Sequence, residues 1–442
     1  MKKVFTIIKN IRTLYYFAII IFCSWSVILK AKINIDITQG NTQVIPVAVV
    51  PFLSDSSQLL PVDVATVISN DLKLSGQFSP VSSDSFLSFP SNAKDIYFPD
   101  WKKLKVKYLL IGRIKKLPSG NYRIEYDLFN VDTHATIFSG LIEGQKGQLR
   151  PLSHGISDQV YQQITGMRGI FSTKLLYVCA QRRESPVVYK LVYADIDGHR
   201  PVTIVSSSQP IMSPTWSPDR KRVAYTTYTK NSQQIIYIQE LATQKRQIIV
   251  QGYAMSASPV FSPDGTMLAM ALSKGKDSHI YIKNLQTGEL KQITFGVGTL
   301  DAEPDWMPDG QNIVFTSNRD GSAQIYKIDL KSKKVIRLTF ENGFNARAKV
   351  FPDGYHIAIV TKRLGEKAFN IAVLNVKTGV MQIISDHPLE DSPCIAPNGK
   401  MLIFSSFSKE RYILEMITTN GAVSYNFPAM NCDAQEPAWS PF

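Results

Sequence analysis

At 442 residues, 44% of them apolar and 19% charged, the chain is long enough for two or three domains and too apolar for a disordered protein. Its net charge of +13 has no dense Arg or Lys cluster behind it, which argues for a solvated surface and against a nucleic-acid footprint.

The first 31 residues read as a secretory signal. "MKKVFTIIKNIR" places Lys2, Lys3, Lys9 and Arg12 ahead of an apolar run from Leu14 to Leu29. That run is shorter than the roughly 20 residues that span a bilayer, so a cleaved signal over 1–31 is expected, with a retained anchor as the alternative. The signal holds five bases and no acid, leaving a net +8 on the remaining 411 residues. Three cysteines follow it, Cys179, Cys394 and Cys432, an odd number that forbids full pairing. No Cys/His spacing points to zinc. The three read as small buried hydrophobes, with a Cys394 to Cys432 disulfide as the alternative.

Residues 32–169 predict an amino-terminal α/β domain. "VIPVAVVPF" reads as a buried strand, "VDVATVISNDLKLSG" as an amphipathic helix ending at Gly76, "QFSPVS" as a short strand and "FPDWKKL" as one or two helical turns. "VKYLLIGRIKKL", "NYRIEYDLFNV" and "HATIFSGLIEG" alternate as antiparallel strands, and "LSHGISDQVYQQITG" closes the domain as a helix.

From residue 170 onward the chain repeats. "SPTWSPDR", "SPVFSPDG", "EPDWMPDG", "RAKVFPDG", "SPCIAPNG" and "EPAWSPF" put their second proline position at Pro218, Pro263, Pro308, Pro352, Pro397 and Pro441, 44 or 45 residues apart. Each Ser-Pro-Asp-Gly is the composition of a type I turn, hence a hairpin corner. Three β-rich segments follow each of the first five corners, which predicts four-stranded antiparallel blades. The sixth corner has no strands after it, while residues 174–208 hold three strands with no corner before them. A six-bladed β-propeller over 170–442, its last blade shared between the two ends, is therefore expected, leaving no open edge. Arg220 for the turn Gly, Ala348 for the leading Pro, and Val350 and Ile395 for the aromatic predict more loosely cornered blades.

Catalytic patterns are missing: neither a P-loop, G-x-G-x-x-G, H-E-x-x-H nor G-x-S-x-G occurs. His134, His154, His199, His279, His356 and His387 show no triad or ligand spacing and read as surface or strand residues. No enzyme activity, metal or other cofactor is expected. The alternative is the propeller domain of a peptidase or carbohydrate-active enzyme.

The order "INIDITQG", "PVAVVPF", "MSPTWSPD", "EPDWMPDG", "FTSNRDGSAQIYKI", "APNG" and "PAWSP" resembles the TolB family, periplasmic components of the Tol-Pal system. The resemblance covers nearly the whole chain; Arg347 departs from it, standing where an uncharged or acidic residue is expected. It implies a monomeric periplasmic scaffold that supports outer-membrane integrity and constriction at division, with other outer-membrane or peptidoglycan-associated proteins as further partners. The lipoprotein Pal would dock at the propeller mouth, on loops before the innermost strands: Ser213, Met255, Ser256, Ser258, Ala302, Glu303, Arg347, Asp391, Ser392 and Glu436. The acids there would receive a basic or amide-rich loop. TolA would bind the mature amino terminus, Lys32, Ile33, Asn34, Ile35, Asp36, Ile37 and Thr38, whose alternating isoleucines suit addition to a partner's sheet edge.

Overall fold

The computed structural model describes residues 44–55, 60–341, 343–385, 387, 389–427 and 432–442. The expected signal and the Lys32 to Thr38 segment lie outside them.

The amino-terminal sheet is mixed. Its strands are β1 (Ile45–Val49), β2 (Leu53–Ser54), β3 (Phe78–Pro80), β4 (Tyr108–Lys116), β5 (Tyr122–Asn130) and β6 (Thr136–Gly144), in the order β3-β1-β4-β5-β6 with β2 beside β4. Three helices accompany it: α1 (Val64–Leu74), α2 (Phe98–Lys103) and α3 (Leu149–Thr165). Asp63 starts α1 by accepting the Ala65 and Thr66 amides at 3.1 and 3.3 Å. Gly166, left-handed at φ 73°, ends α3.

Six four-stranded antiparallel blades follow, with innermost strands Ile211–Trp216, Met255–Phe261, Asp301–Trp306, Phe344–Val350, Glu390–Ile395 and Asp433–Trp439 for blades 1 to 6. Second strands such as Met267–Lys274 are buried along nearly their whole length, because neighbouring blades cover both faces of each sheet. The tryptophans fill the gaps between blades. Trp216 donates its indole N–H to Ala438 O of blade 6 at 3.0 Å, and Trp306 to Val260 O of blade 2 at 3.2 Å.

Each of the first five corners closes with the amide of its fourth residue on the carbonyl of its first. The distances are 2.9 Å for Arg220 to Ser217, 2.9 Å for Gly265 to Ser262, 3.0 Å for Gly310 to Met307, 3.0 Å for Gly354 to Phe351 and 2.8 Å for Gly399 to Ala396. The substituted blades are thus cornered as tightly as the others, contrary to expectation. Arg220 adopts the left-handed φ of 57° that glycine adopts elsewhere, and Phe351 supplies buried aromatic bulk beside Val350.

Blade 6 is built from both ends of the ring: Asp433–Trp439 pairs antiparallel with Lys174–Gln181, followed by Val188–Asp195 and Val202–Ser207. Lys174 and Ser440 exchange hydrogen bonds at 2.8 and 2.9 Å, and Trp439 donates to Thr173 Oγ1 at 2.8 Å. A Cys179–Cys432 disulfide joins the same two strands at their opposite end, with Cα atoms 5.5 Å apart. This corrects the reading of the cysteines: Cys179 and Cys432 pair, and Cys394 is the free thiol. The paired residues lie 253 positions apart, so no local spacing marked them. His154 also departs from expectation, being a buried helical residue.

One apolar core runs through both parts. Ile68 and Leu72 of α1 and Ile156 and Val160 of α3 share it with Leu175, Tyr177 and Trp439 of blade 6 and Met401 and Met416 of blade 5. The amino-terminal domain is thereby fastened to blades 5 and 6.

Candidate functional site

Each innermost strand carries one bulge at its corner motif. The register shifts between Met212 and Thr215 in blade 1 and at the matching place in the other five. Ser213, Ser258, Glu303, Arg347, Ser392 and Glu436 sit at these bulges, all left-handed with φ between 49° and 54°. Six non-glycine residues in that region are an unusual concentration, and bulges serve to re-aim side chains. Here they line one narrow cavity of about 60 Å³ at the channel mouth. The six therefore lie within the innermost strands, not in the preceding loops as expected.

The charges of this ring are concentrated on blades 3 to 6. Arg347 bridges them: its Nε lies 2.8 Å from Asp391 Oδ1 and 3.4 Å from Glu303 Oε1, and its terminal nitrogen donates to Ser392 Oγ at 2.8 Å and Glu436 Oε1 at 3.4 Å. Glu303 Oε2 also accepts the Arg347 amide at 2.9 Å and the Thr316 hydroxyl at 2.8 Å. About a third of the arginine side chain, 32%, reaches solvent along the channel while protein atoms surround the rest. Burial opposes its charge, but Glu436, Asp391 and Glu303 outweigh that and raise its pKa. Burial raises Asp391, with Arg347 pulling the other way. Deeper in, Lys349 Nζ lies 3.6 Å from Asp305 Oδ1, whose carboxyl burial also raises.

The carboxylates expected to receive a partner's basic group thus already hold an arginine of the chain itself. Of the other residues expected here, Met255 and Ala302 are half-buried against the core between blades 2 and 3, and Ser256 is fully buried with its amide on Gln234 Oε1 at 2.9 Å.

A second hollow opens beside the ring and was not foreseen. It holds about 390 Å³ and is lined by Phe344, Phe369, Leu389 and Tyr412, with Arg347 and Asp391 at its edge. Phe344 and Phe369 meet edge to face at 5.5 Å, and Leu389 is 43% exposed. The buried Glu390 anchors the loop below by accepting the Ile371 and His387 amides, each at 3.0 Å, and burial pushes its carboxyl up to about 7. A large apolar residue just before an innermost strand, as at Leu389, was the available sequence signal.

Residues 33–137 match the TolB amino-terminal domain, and residues 161–442 match the TolB beta propeller domain. The chain belongs to the TolB family. The Tol-Pal system protein TolB of Pseudomonas aeruginosa is 50% identical over 408 residues, covering 92% of this chain and 94% of that protein. TolB of a Marinomonas species is 49% identical over 414 residues, covering 93% and 95%. The crystal structure of TolB from Acinetobacter baumannii superposes with a TM-score of 0.82 at 32% identity, over 90% of this chain and 97% of its own. Membership of the TolB family places the partners of this chain within the Tol-Pal system. Among the described residues no helix is long and apolar enough to cross a membrane.

Proposed function

We propose that the chain is a non-enzymatic periplasmic scaffold of the Tol-Pal system, binding Pal at the propeller mouth and TolA through Lys32 to Thr38. In this reading it supports outer-membrane integrity and envelope constriction at division. The supporting observation is the pairing of a rigid charged ring with an adjoining apolar hollow. With Arg347 in place the ring has room for only a few waters, whereas the hollow of about 390 Å³ fits bulky side chains of a protein loop. An apolar centre edged by charge is the usual anatomy of a specific protein interface. The partner loop would fill the hollow and hydrogen-bond to the ring, leaving the Arg347 network intact.

The test is a titration of the mature protein with purified Pal, in parallel with the Leu389→Asp variant. Binding by the former and at least roughly tenfold weaker binding by the latter is expected, from loss of one apolar anchor and burial of a charge. No binding by the unaltered mature protein, together with hydrolysis of a peptide or glycan, would sink the scaffold reading. Deleting residues 32–38 should abolish TolA binding and leave Pal binding intact.

A further inference from the structure

His154 lies on α3 where that helix meets blade 6, with 1% of its surface exposed. Its Nδ1 is 2.8 Å from Asp71 Oδ2 of α1, an oxygen that also accepts the Ser157 hydroxyl at 2.6 Å. Its Nε2 faces the propeller, 3.5 Å from Asp197 Oδ2 and 3.7 Å from Asp195 Oδ2. Basic groups flank the acids. Arg150 of α3 pairs with Asp197 and lies 2.8 Å from His199 Nδ1; Lys174 pairs with Asp195, and Arg200 donates to Asp195 at 2.7 and 2.8 Å. One helical turn on, Asp158 accepts the amides of Phe171 and Ser172 at 2.7 and 3.1 Å.

We propose that His154 is a proton-held latch: as an imidazolium between Asp71 on one side and Asp195 and Asp197 on the other, it fastens the amino-terminal domain to the ring-closing blade, and losing the proton loosens that attachment.

The geometry favours the charged ring for a simple reason. A neutral imidazole has one N–H and one lone pair, so a ring donating to Asp71 would turn its lone pair toward two carboxylates. Only the imidazolium presents a hydrogen to each side. Burial pulls its pKa down, but Asp195, Asp71 and Asp197 outweigh burial and hold it up at about 9. Burial raises Asp71 as well, opposed by His154 and Ser157. Asp195 is held well below the carboxylate range, since His154, Arg200 and Lys174 overcome its burial.

The sign of the pH effect follows. A folded pKa above the ordinary 6.5 means that the latch contributes fully below 6.5 and is lost as pH rises through about 9. Asp71, His154 and Asp197 also stand close enough to share a metal ion. The oxygens of Asp195 and Asp197 that face the ring, however, already accept from Arg200 and Arg150, so the proton is the cation that fits. None of this depends on the mouth being a partner site.

The direct test is an NMR pH titration of the imidazoles in the full mature chain, with the His154 signal assigned by its loss in His154→Gln. A midpoint near 9 with both ring nitrogens protonated at neutral pH is expected; a midpoint at or below about 6.5, or a neutral tautomer at neutral pH, overturns the proposal. Thermal unfolding gives an independent readout. The Tm of the unaltered protein should fall more steeply than that of His154→Gln between about pH 6.5 and about pH 9, and parallel curves would count against the latch. Zinc alone, added at neutral pH, should leave Tm unchanged; a rise that His154→Gln abolishes would show a ligating, neutral imidazole and overturn it.

Discussion

Replacing Arg347 with Ala would leave Glu303, Asp391 and Glu436 facing one another across the mouth with no counter-charge among them. Removing one partner of a fully buried ion pair costs about 3–5 kcal/mol; partial exposure here reduces the expected loss to about 1–2 kcal/mol. Because Asp391 sits above the usual carboxylate range, that loss should be largest at neutral pH and shrink as acid protonates the site, which urea unfolding at two pH values would show. Glu390 gives a second pH dependence. Its carboxyl, raised to about 7 by burial, binds a proton in the folded state before the ordinary 4.5, so stability should rise as pH falls from about 7 to about 4.5. Glu390→Gln should flatten that slope. Arg220 occupies a left-handed turn position at φ 57°. Arg220→Gly should therefore stabilise the protein by about 0.5–1 kcal/mol in the same assay, and a loss of stability would show that the arginine contributes something beyond the turn.

At the scale of the strand, ring closure depends on Asp433–Trp439. Removing residues 436–442 deletes Trp439, buried to 6% exposure, and leaves Lys174–Gln181 with an open edge. Loss of a buried Trp alone costs about 3–5 kcal/mol, so the truncated protein should unfold many degrees lower or aggregate. An unchanged Tm would contradict closure by this strand. The Cys179–Cys432 bridge acts on the same seam from the unfolded side, by tying together positions 253 residues apart. Cys432→Ser should lower stability by about 2–5 kcal/mol, and added reductant should change the stability of that variant little.

Across the whole molecule, what could be read from the sequence was what repeats or is local. The 44- or 45-residue spacing placed every corner and, through the residue before each leading proline position, all six bulge residues from Ser213 to Glu436. The amphipathic helices and alternating strands of the first domain were legible for the same reason. What escaped is made by residues that share no period. Asp71, His154 and Asp195 come from two helices and a blade; Phe344, Phe369, Leu389 and Tyr412 meet only once blades 4 and 5 are side by side; and Cys179 finds Cys432 across the entire ring. Arg347 was visible as an exception, but its reach to three acids on three other blades belongs to the closed ring.

That shared sixth blade also sets an order of events. Lys174–Gln181 is made more than 250 residues before the strand it must pair with, and no local rearrangement can supply that partner sooner. Contacts of such long sequence separation form late and slowly. Blades 1 to 5 can each assemble from continuous chain, so the nascent propeller passes through an open arc whose first strand is exposed until Asp433–Trp439 arrives. The stretch of synthesis in which this protein is most open to mispairing is therefore the one that precedes Asp433–Trp439, and a chaperone that shields one strand edge would act there.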